Sequence, residues 1–325
     1  MKTAIIGLGV IGKVHAQVLK EQQVNVVALC DIKEERSQMI GERYFPDAQI
    51  YGNYVDMLDK EQIDIVHICT PHWLHAEMVI ACLQRDINVF CEKPLCINEK
   101  EIEAIIQAEK LSNAQLGVCL QNRYNPANQY VKKYLKTEEI LNGYGTVLWN
   151  RDKEYYASGT WRGKWATEGG GVMINQALHT LDLLQWFFDG SNFVVASTEN
   201  FTLKDCIEVE DSAMAIFEKE NKKFTFFATN GCGADYPVEM TLQTKKGWIK
   251  VFPDKVLHGD EIVCFDKKNK ILSKGCYGTG HETIIADFYR CIQEKKAFWI
   301  NGKEASKVIK MILAMYKSQG KQVKI

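Results

Sequence analysis

Thr3-Ala4-Ile5-Ile6-Gly7-Leu8-Gly9-Val10-Ile11-Gly12 joins a short β-type run to three spaced glycines, ahead of an apolar-periodic stretch carrying Val14, Val18 and Leu19. This is G-x-G-x-x-G in a strand-turn-helix setting. In such a turn the first glycine makes the bend, the second lets backbone approach a pyrophosphate, and the third lets the helix pack closely on the strand. The helix is expected to begin near Gly12, where its free N–H groups and positive dipole end suit phosphate oxygens. Gly7, Gly9, Val10, Ile11 and Gly12 are therefore candidate contacts for a dinucleotide.

The context supports the motif. Residues 24–30 form a second β-rich run that ends at Asp31, about 20 residues beyond the turn, where an acidic side chain reaches ribose hydroxyls. A carboxylate there repels a 2′-phosphate and favours NAD over NADP, although Lys33 and Arg36 lie near enough to leave NADP open. A cap for the helix entered at Lys33-Glu34-Glu35 is the plainer reading of Asp31. Strand and helix then alternate: 63–69, 87–91 and 114–120 as strands, 71–84 and 99–110 as helices. That order predicts a parallel sheet wound on both faces.

Ile87-Asn88-Val89-Phe90-Cys91 stops at Glu92-Lys93-Pro94, because proline cannot continue a ladder. Glu92 and Lys93 thus stand at the carboxyl end of a strand, where open α/β sheets bind ligands. A solvent-facing loop lysine is the alternative. Thr70, Pro71 and His75 follow another strand end and face the same crevice, with His75 read as structural or cofactor-side because it sits inside a helix start.

At 325 residues the chain has room for about two domains at ~150 residues each. A net charge of −1 with 25% charged residues gives no bias toward nucleic acid or anionic membrane. No apolar run of about 18 residues predicts a membrane span. The opening residues resemble a signal peptide only superficially, since the glycines and Lys13, His15 and Gln17 argue for strand, turn and helix. Eleven cysteines without CxxC spacing, most of them in apolar runs, read as buried hydrophobes of a reducing cytoplasm, and no metal site is expected.

Regular alternation ends at Gln121-Asn122-Arg123-Tyr124-Asn125-Pro126, which divides the chain into a dinucleotide-binding domain, 1–122, and a second α/β domain, 123–325. In the latter, runs at 194–201, 212–217, 223–228, 238–244 and 248–252 predict a largely antiparallel open sheet. Its far face would suit pairing of subunits as a dimer or tetramer. Segments 282–294 and 303–317 carry helical periodicity. The stretch from Trp161 to Asp182 runs through Gly169-Gly170-Gly171 into an expected helix, on which Asn175, His179 and Asp182 at i, i+4 and i+7 would share one face. Asn175 or Asp182 could then fix the tautomer of His179 and leave its other nitrogen for a substrate hydroxyl. A core histidine with its hydrogen bonds satisfied is the competing reading.

Together, Gly7-Leu8-Gly9-Val10-Ile11-Gly12, Thr70-Pro71 with His75, Glu92-Lys93-Pro94, and Gly169-Gly170-Gly171 leading to His179 and Asp182 resemble the Gfo/Idh/MocA oxidoreductases over essentially the whole chain. The resemblance implies a Rossmann domain followed by an α/β domain with a large open sheet, a nicotinamide cofactor, and hydride transfer at a secondary hydroxyl of a sugar, sugar acid, nucleotide sugar or cyclitol. It implies that Lys93 and His179 are catalytic, and that the Lys93-Pro94 peptide is cis. Inositol-dehydrogenase-like members carry aspartate where Asn175 stands here; the pattern is similar to members that oxidise the 3-hydroxyl of UDP-linked N-acetylglucosaminuronate and to many uncharacterised bacterial sugar dehydrogenases. On this reading His179 takes the proton, Lys93 stabilises the alkoxide, Asn175 bonds substrate or His179, and Tyr124, Trp161 and Arg162 reach the substrate's far end. Two alternatives stay open: a non-catalytic dinucleotide-binding regulator, and a reductase of a non-sugar carbonyl or imine.

Overall fold

Hydrophobic strands separated by amphipathic helices build the first half of this computed structural model, which describes residues 1–265 and 280–325. The chain forms two compact units. The first takes Met1–Cys96, Lys100–Cys119 and His281–Ala305; the second takes Ile97–Glu99, Leu120–Gly280 and Ser306–Ile325.

In the first unit the elements run β1 (Lys2–Ile6), α1 (Val10–Glu21), β2 (Asn25–Cys30), α2 (Glu34–Tyr44), β3 (Gln49–Tyr51), α3 (Tyr54–Lys60), β4 (Ile65–Ile68), α4 (His75–Leu83), β5 (Asn88–Cys91), α5 (Glu99–Leu111) and β6 (Leu116–Val118). The described strands form one parallel sheet in the order β3-β2-β1-β4-β5-β6. The strand order reverses beside β1, which is where doubly wound sheets open a ligand crevice. All four residues of β4 and three of the four in β5 are buried, as expected of strands covered by helices on both faces.

Two boundaries differ from those expected. α1 begins at Val10, inside the glycine motif, because extended Gly9 (ψ −154°) serves as its N-cap. Residues 71–84 are not one helix: Pro71 is extended (ψ 152°), a 3₁₀ turn covers His72–Leu74, and α4 follows. The first unit also includes a return of the chain. α9 (Gly280–Gln293) brings Phe288 against Gly117, where a Cβ would stand 2.7 Å from the ring, and Phe288 packs 5.1 Å from Phe90 and 5.2 Å from Phe298. The Val118 N–H then donates to Ile300 at 3.0 Å. Helical periodicity in 282–294 carries no signal of which unit the helix joins.

The second unit holds α6 (Pro126–Tyr134), β7 (Ile140–Leu148), α7 (Lys153–Ala157), α8 (Leu178–Phe188), β8 (Phe193–Glu199), β9 (Ser212–Lys219), β10 (Lys222–Thr229), β11 (Glu239–Thr244), β12 (Gly247–Val251), β13 (Lys255–His258), β14 (Glu261–Phe265) and β15 (Val323–Lys324); α10 (Gly302–Ser318) ends in it. Its described strands run β14-β13-β12-β11-β7-β10-β9-β8-β15. Neighbours are antiparallel except β7 and β10. α8 lies against β7 at Gly145, whose missing side chain makes room for Leu184 and Thr180. Phe188, Phe224 and Phe217 stack beneath it, with successive ring centroids 4.5 and 4.8 Å apart. The other face of the sheet exposes Met214, Ile216 and Phe227.

Candidate functional site

The glycine turn has the shape a dinucleotide needs. Gly7 takes φ +87°, and a Cβ there would stand 2.7 Å from the carbonyl of Cys69. A Cβ on Gly12 would lie 2.0 Å from the Gly7 oxygen, so this position admits no side chain. Gly9 differs: a Cβ there would meet nothing within 4 Å, leaving open space over the first turn of α1. That helix has no side-chain cap and no acidic residue in its first turn, so its N–H groups and positive end remain suited to an anion. Val10 is exposed at the mouth.

Asp31 is nearly buried, and it braces the turn: Oδ2 accepts the Leu8 N–H at 2.7 Å and Oδ1 accepts the Lys33 N–H at 2.9 Å. Each carboxylate oxygen keeps a lone pair for a ribose hydroxyl. Arg36 stands 3.6 Å from Oδ2. The cap reading of Asp31 is not met: Lys33 is the N-cap of α2 and no side chain caps that helix, so the Asp31 contact braces the loop ahead of it.

The Lys93-Pro94 peptide is cis. His75 ties this turn to the next strand end, with Nδ1 at 2.6 Å from the Pro94 oxygen and Nε2 at 2.8 Å from the Thr70 oxygen. A neutral imidazole can donate to only one of two carbonyls. Burial lowers the pKa of His75, and the two carbonyl contacts oppose that shift. Thr70 also lies against Met78 through its hydroxyl, 3.5 Å from the sulfur. Glu92 is buried, and its Oε2 accepts the Lys93 backbone N–H at 3.2 Å. Lys93 itself is half-buried.

In the second unit, α8 begins at Leu178, so His179 occupies its first turn while Asn175 lies in the turns that precede it. The expected common helical face therefore does not exist. Gly169 and Gly170, with φ of +83° and +150°, start a run of tight turns that delays the helix. Glu168 is fully buried and accepts N–H donors from the Gly163 backbone and the Asn175 carboxamide. Asp182 makes a bidentate pair with Arg123, Nε to Oδ2 at 2.8 Å and Nη2 to Oδ1 at 2.6 Å, both side chains out of solvent. The group that orients His179 is Gln121, whose carboxamide N–H donates to Nε2 at 3.1 Å. Nε2 accordingly presents a lone pair.

Gln121, Glu168 and Glu210 were not among the sequence candidates. Glu210 accepts the Gly171 and Met173 N–H groups at 2.9 and 3.0 Å and the Tyr316 hydroxyl at 3.0 Å, and burial pushes its carboxyl up to about 7. A glutamate just ahead of a β-type run gives no sign that it closes a glycine turn 39 residues upstream. Arg162 lies over the rings of Trp161 and Tyr155 at 4.7 and 5.0 Å, and its buried Nε has no hydrogen-bond partner among the described residues. The Tyr155 hydroxyl accepts from Gln176 at 3.0 Å and from Asn175 at 3.4 Å, linking Arg162 to the turns before His179. Tyr124 is half-buried in a 3₁₀ turn with Gln121.

A family model described as "Oxidoreductase family, NAD-binding Rossmann fold" matches residues 1–120, and one described as "GFO/IDH/MocA C-terminal domain" matches residues 137–250. The chain belongs to the Gfo/Idh/MocA oxidoreductase family. This family member is 27% identical over 192 residues to inositol 2-dehydrogenase of Salmonella typhimurium; the match covers 58% of this chain and spans only 55% of that relative's length. Among solved structures it is similar to the WlbA dehydrogenase of Chromobacterium violaceum, determined with NADH and UDP-GlcNAcA, at 26% identity and a TM-score of 0.88 over 100% of this chain and 96% of that one. Myo-inositol 2-dehydrogenase of Lactobacillus plantarum is 25% identical, with a TM-score of 0.84 over 100% and 99% of the two chains.

Proposed function

We propose that this Gfo/Idh/MocA chain is an NAD-dependent dehydrogenase that oxidises a secondary hydroxyl of a sugar acid, nucleotide sugar, sugar or cyclitol. The observation that carries the reading is the joint presence of Lys93 at the end of β5 and a His179 whose Nε2 is kept as a lone pair by Gln121. The residues of the glycine turn fit a dinucleotide: Gly7 and Gly12 admit no side chain, Gly9 leaves space, and the first turn of α1 is uncapped. Asp31 would bind the adenosine ribose and repel a 2′-phosphate. Nicotinamide supplies the hydride acceptor.

His179 takes the hydroxyl proton on Nε2, with the substrate oxygen replacing the Gln121 amide there. Lys93 places a cation where the alkoxide charge develops, an arrangement that contributes most in the transition state. Asn175 bonds the substrate from the end of its carboxamide not used by Glu168. Arg162 binds an acidic group at the substrate's far end, with Trp161 and Tyr124 lining it. A buried guanidinium N–H without a partner favours an anion there, since charge-assisted hydrogen bonds are the strong ones. Exposed Met214, Ile216 and Phe227 on the outer sheet face are read as the surface on which a second copy packs. The described cysteines are free, and no described helix is long and apolar enough to cross a membrane.

The test is formation of reduced nicotinamide from NAD or NADP across inositols, free sugars, sugar acids and UDP-sugars. Turnover with NAD and a preference for acidic substrates is expected. Arg162→Ala should raise KM for those substrates about 10- to 100-fold, the equivalent of one charge-assisted hydrogen bond, and leave neutral sugars unaffected. Dinucleotide binding with no turnover of any carbohydrate would instead favour a regulator, and turnover confined to flat apolar carbonyls would favour a non-sugar reductase.

A further inference from the structure

Five buried side chains of the first unit form one continuous run of hydrogen bonds that ends at the turn carrying Lys93. Thr3 Oγ1 lies 2.9 Å from the Tyr289 hydroxyl, which lies 3.0 Å from His67 Nε2. His67 Nδ1 lies 2.8 Å from His15 Nδ1, and His15 Nε2 lies 2.9 Å from Glu92 Oε1. The other carboxylate oxygen accepts the Lys93 backbone N–H. These residues come from β1, α9, β4, α1 and the end of β5, and Tyr289, at 7%, is the most exposed of them.

Counting protons shows that the run closes. Burial holds His67 neutral, so it offers a single N–H. With that proton on Nδ1, His67 donates to His15, His15 donates from Nε2 to Glu92, and the Tyr289 hydroxyl donates to His67. With the proton on Nε2, His67 donates to Tyr289, and the two links of His15 are filled only by one further proton, which makes it an imidazolium paired with the Glu92 carboxylate. In either arrangement every link has one hydrogen, and Glu92 is an ionised acceptor. Burial opposes that ionisation, but the His15 and His281 imidazoles outweigh it and hold the carboxyl well below the usual carboxylate range. His281 Nε2 stands 3.7 Å from Oε1, and the Cys119 thiol faces the same carboxylate.

His15, Glu92, Cys119 and His281 also present ligand atoms within 4.8 Å of one another, a donor set that zinc accepts. However, the 2.9 Å contact between His15 and Glu92 is a hydrogen bond, with a proton lying where a metal would need both lone pairs. The hydrogen-bonded run accounts for its members without an ion.

We infer that His15, backed by His67 and Tyr289, is a positioning residue for Lys93: the run fixes the Glu92 carboxylate, and Glu92 fixes the main chain from which Lys93 projects. This rests on the reading of Lys93 as the cation that stabilises the alkoxide. The role differs from binding phosphate at the same helix, because His15 points into the core and acts through Glu92.

The experiment compares kcat, KM and pH-rate profiles of His15→Met, His15→Gln and Tyr289→Phe, with dinucleotide affinity measured separately by fluorescence. His15→Met is expected to lower kcat about 10- to 100-fold, the effect of an ångström-scale misplacement. It should move the acidic limb of the profile to higher pH, because Glu92 loses the donor that keeps it ionised, and leave dinucleotide affinity unchanged. His15→Gln, which keeps an N–H within reach of Glu92, should recover most of the rate. In a Glu92→Gln background, His15→Met should add no further loss, since the two act as one unit. Additive losses, or one equivalent of bound zinc in the purified protein, would overturn the inference. If His15→Met does not fold, Tyr289→Phe, which keeps the ring, should show a smaller shift of the same limb; an unchanged profile would count against the run. Failure of the Lys93 reading is separable: Lys93→Ala would then turn over normally, while downfield imidazole N–H resonances would still be present and disappear in Glu92→Gln.

Discussion

Two buried carboxylates, one in each unit, are stabilised by different partners. Around Glu92 the donors are imidazoles, a thiol and a main-chain N–H, so protons can be redistributed within the group. Around Asp182 the donor is a whole guanidinium, fixed in a bidentate geometry with Trp186 5.4 Å from its centre. An ion pair of this kind gives a rigid joint under α8 and tolerates no loss of a partner. The imidazole chain gives an adjustable joint beside Lys93. The difference fits the proposed roles, with a stationary base on α8 and a cation tuned from behind.

The largest expected effect comes from breaking the rigid joint. Asp182→Ala takes the bidentate carboxylate from a charged Arg123 where neither side chain is exposed, a loss of about 3–5 kcal/mol. Urea denaturation measures it. A loss below about 1 kcal/mol would mean that the guanidinium finds water, and the contrast between the two joints would collapse.

Glu210 gives the next effect, and it depends on pH. Its carboxyl titrates at about 7 in the folded protein because it is buried, against ~4.3 in an unfolded chain. A folded value above the unfolded one means that the contribution is fully present below pH ~4.3 and is lost as pH rises through about 7. The loss amounts to about 4 kcal/mol in total. Glu210→Gln should flatten stability between those limits, as followed by denaturation at a series of pH values. An unchanged slope would show that Glu210 is ionised throughout.

The smallest effect concerns the amide at 175. Asn175 donates to buried Glu168, so Asn175→Asp would set two carboxylates together, and both cannot ionise at such a distance. A loss of about 1–3 kcal/mol at neutral pH is expected, relieved by acid. Calorimetry at pH 5 and 8 would detect it, and equal stability at both would remove Glu168 as the reason for an amide here.

Much of the first unit was legible in the sequence, because each of its signals is local: three glycines before a helix, an acidic residue at the end of β2, a proline that stops β5. The return of residues 281–305 was not, since periodicity reports an amphipathic helix but not its partner. In the second unit the edge strands β13, β14 and β15 went unread, while β8 to β12 showed as apolar runs. β7 did not, as Gly143 and Gly145 dilute its pattern, although both glycines are required by close approach of Thr241 on one side and α8 on the other. His179 stood out, but its orienting partner, Gln121, lies 58 residues upstream in a 3₁₀ turn. Spacing along one helix pointed to Asn175 and Asp182 instead, and both are committed to buried charges. Local sequence finds groups that act alone and misses partners brought together by the fold.

The most direct measurement is kcat for Lys93→Ala and His179→Ala on the substrate found with NAD, alongside dinucleotide affinity for each variant. Loss of a general base lowers rate by roughly 10²- to 10⁴-fold, so both variants should fall by at least the lower figure while still binding the dinucleotide. Near-normal turnover by either one, with the cofactor bound, would contradict the assignment of proton transfer to His179 and charge stabilisation to Lys93.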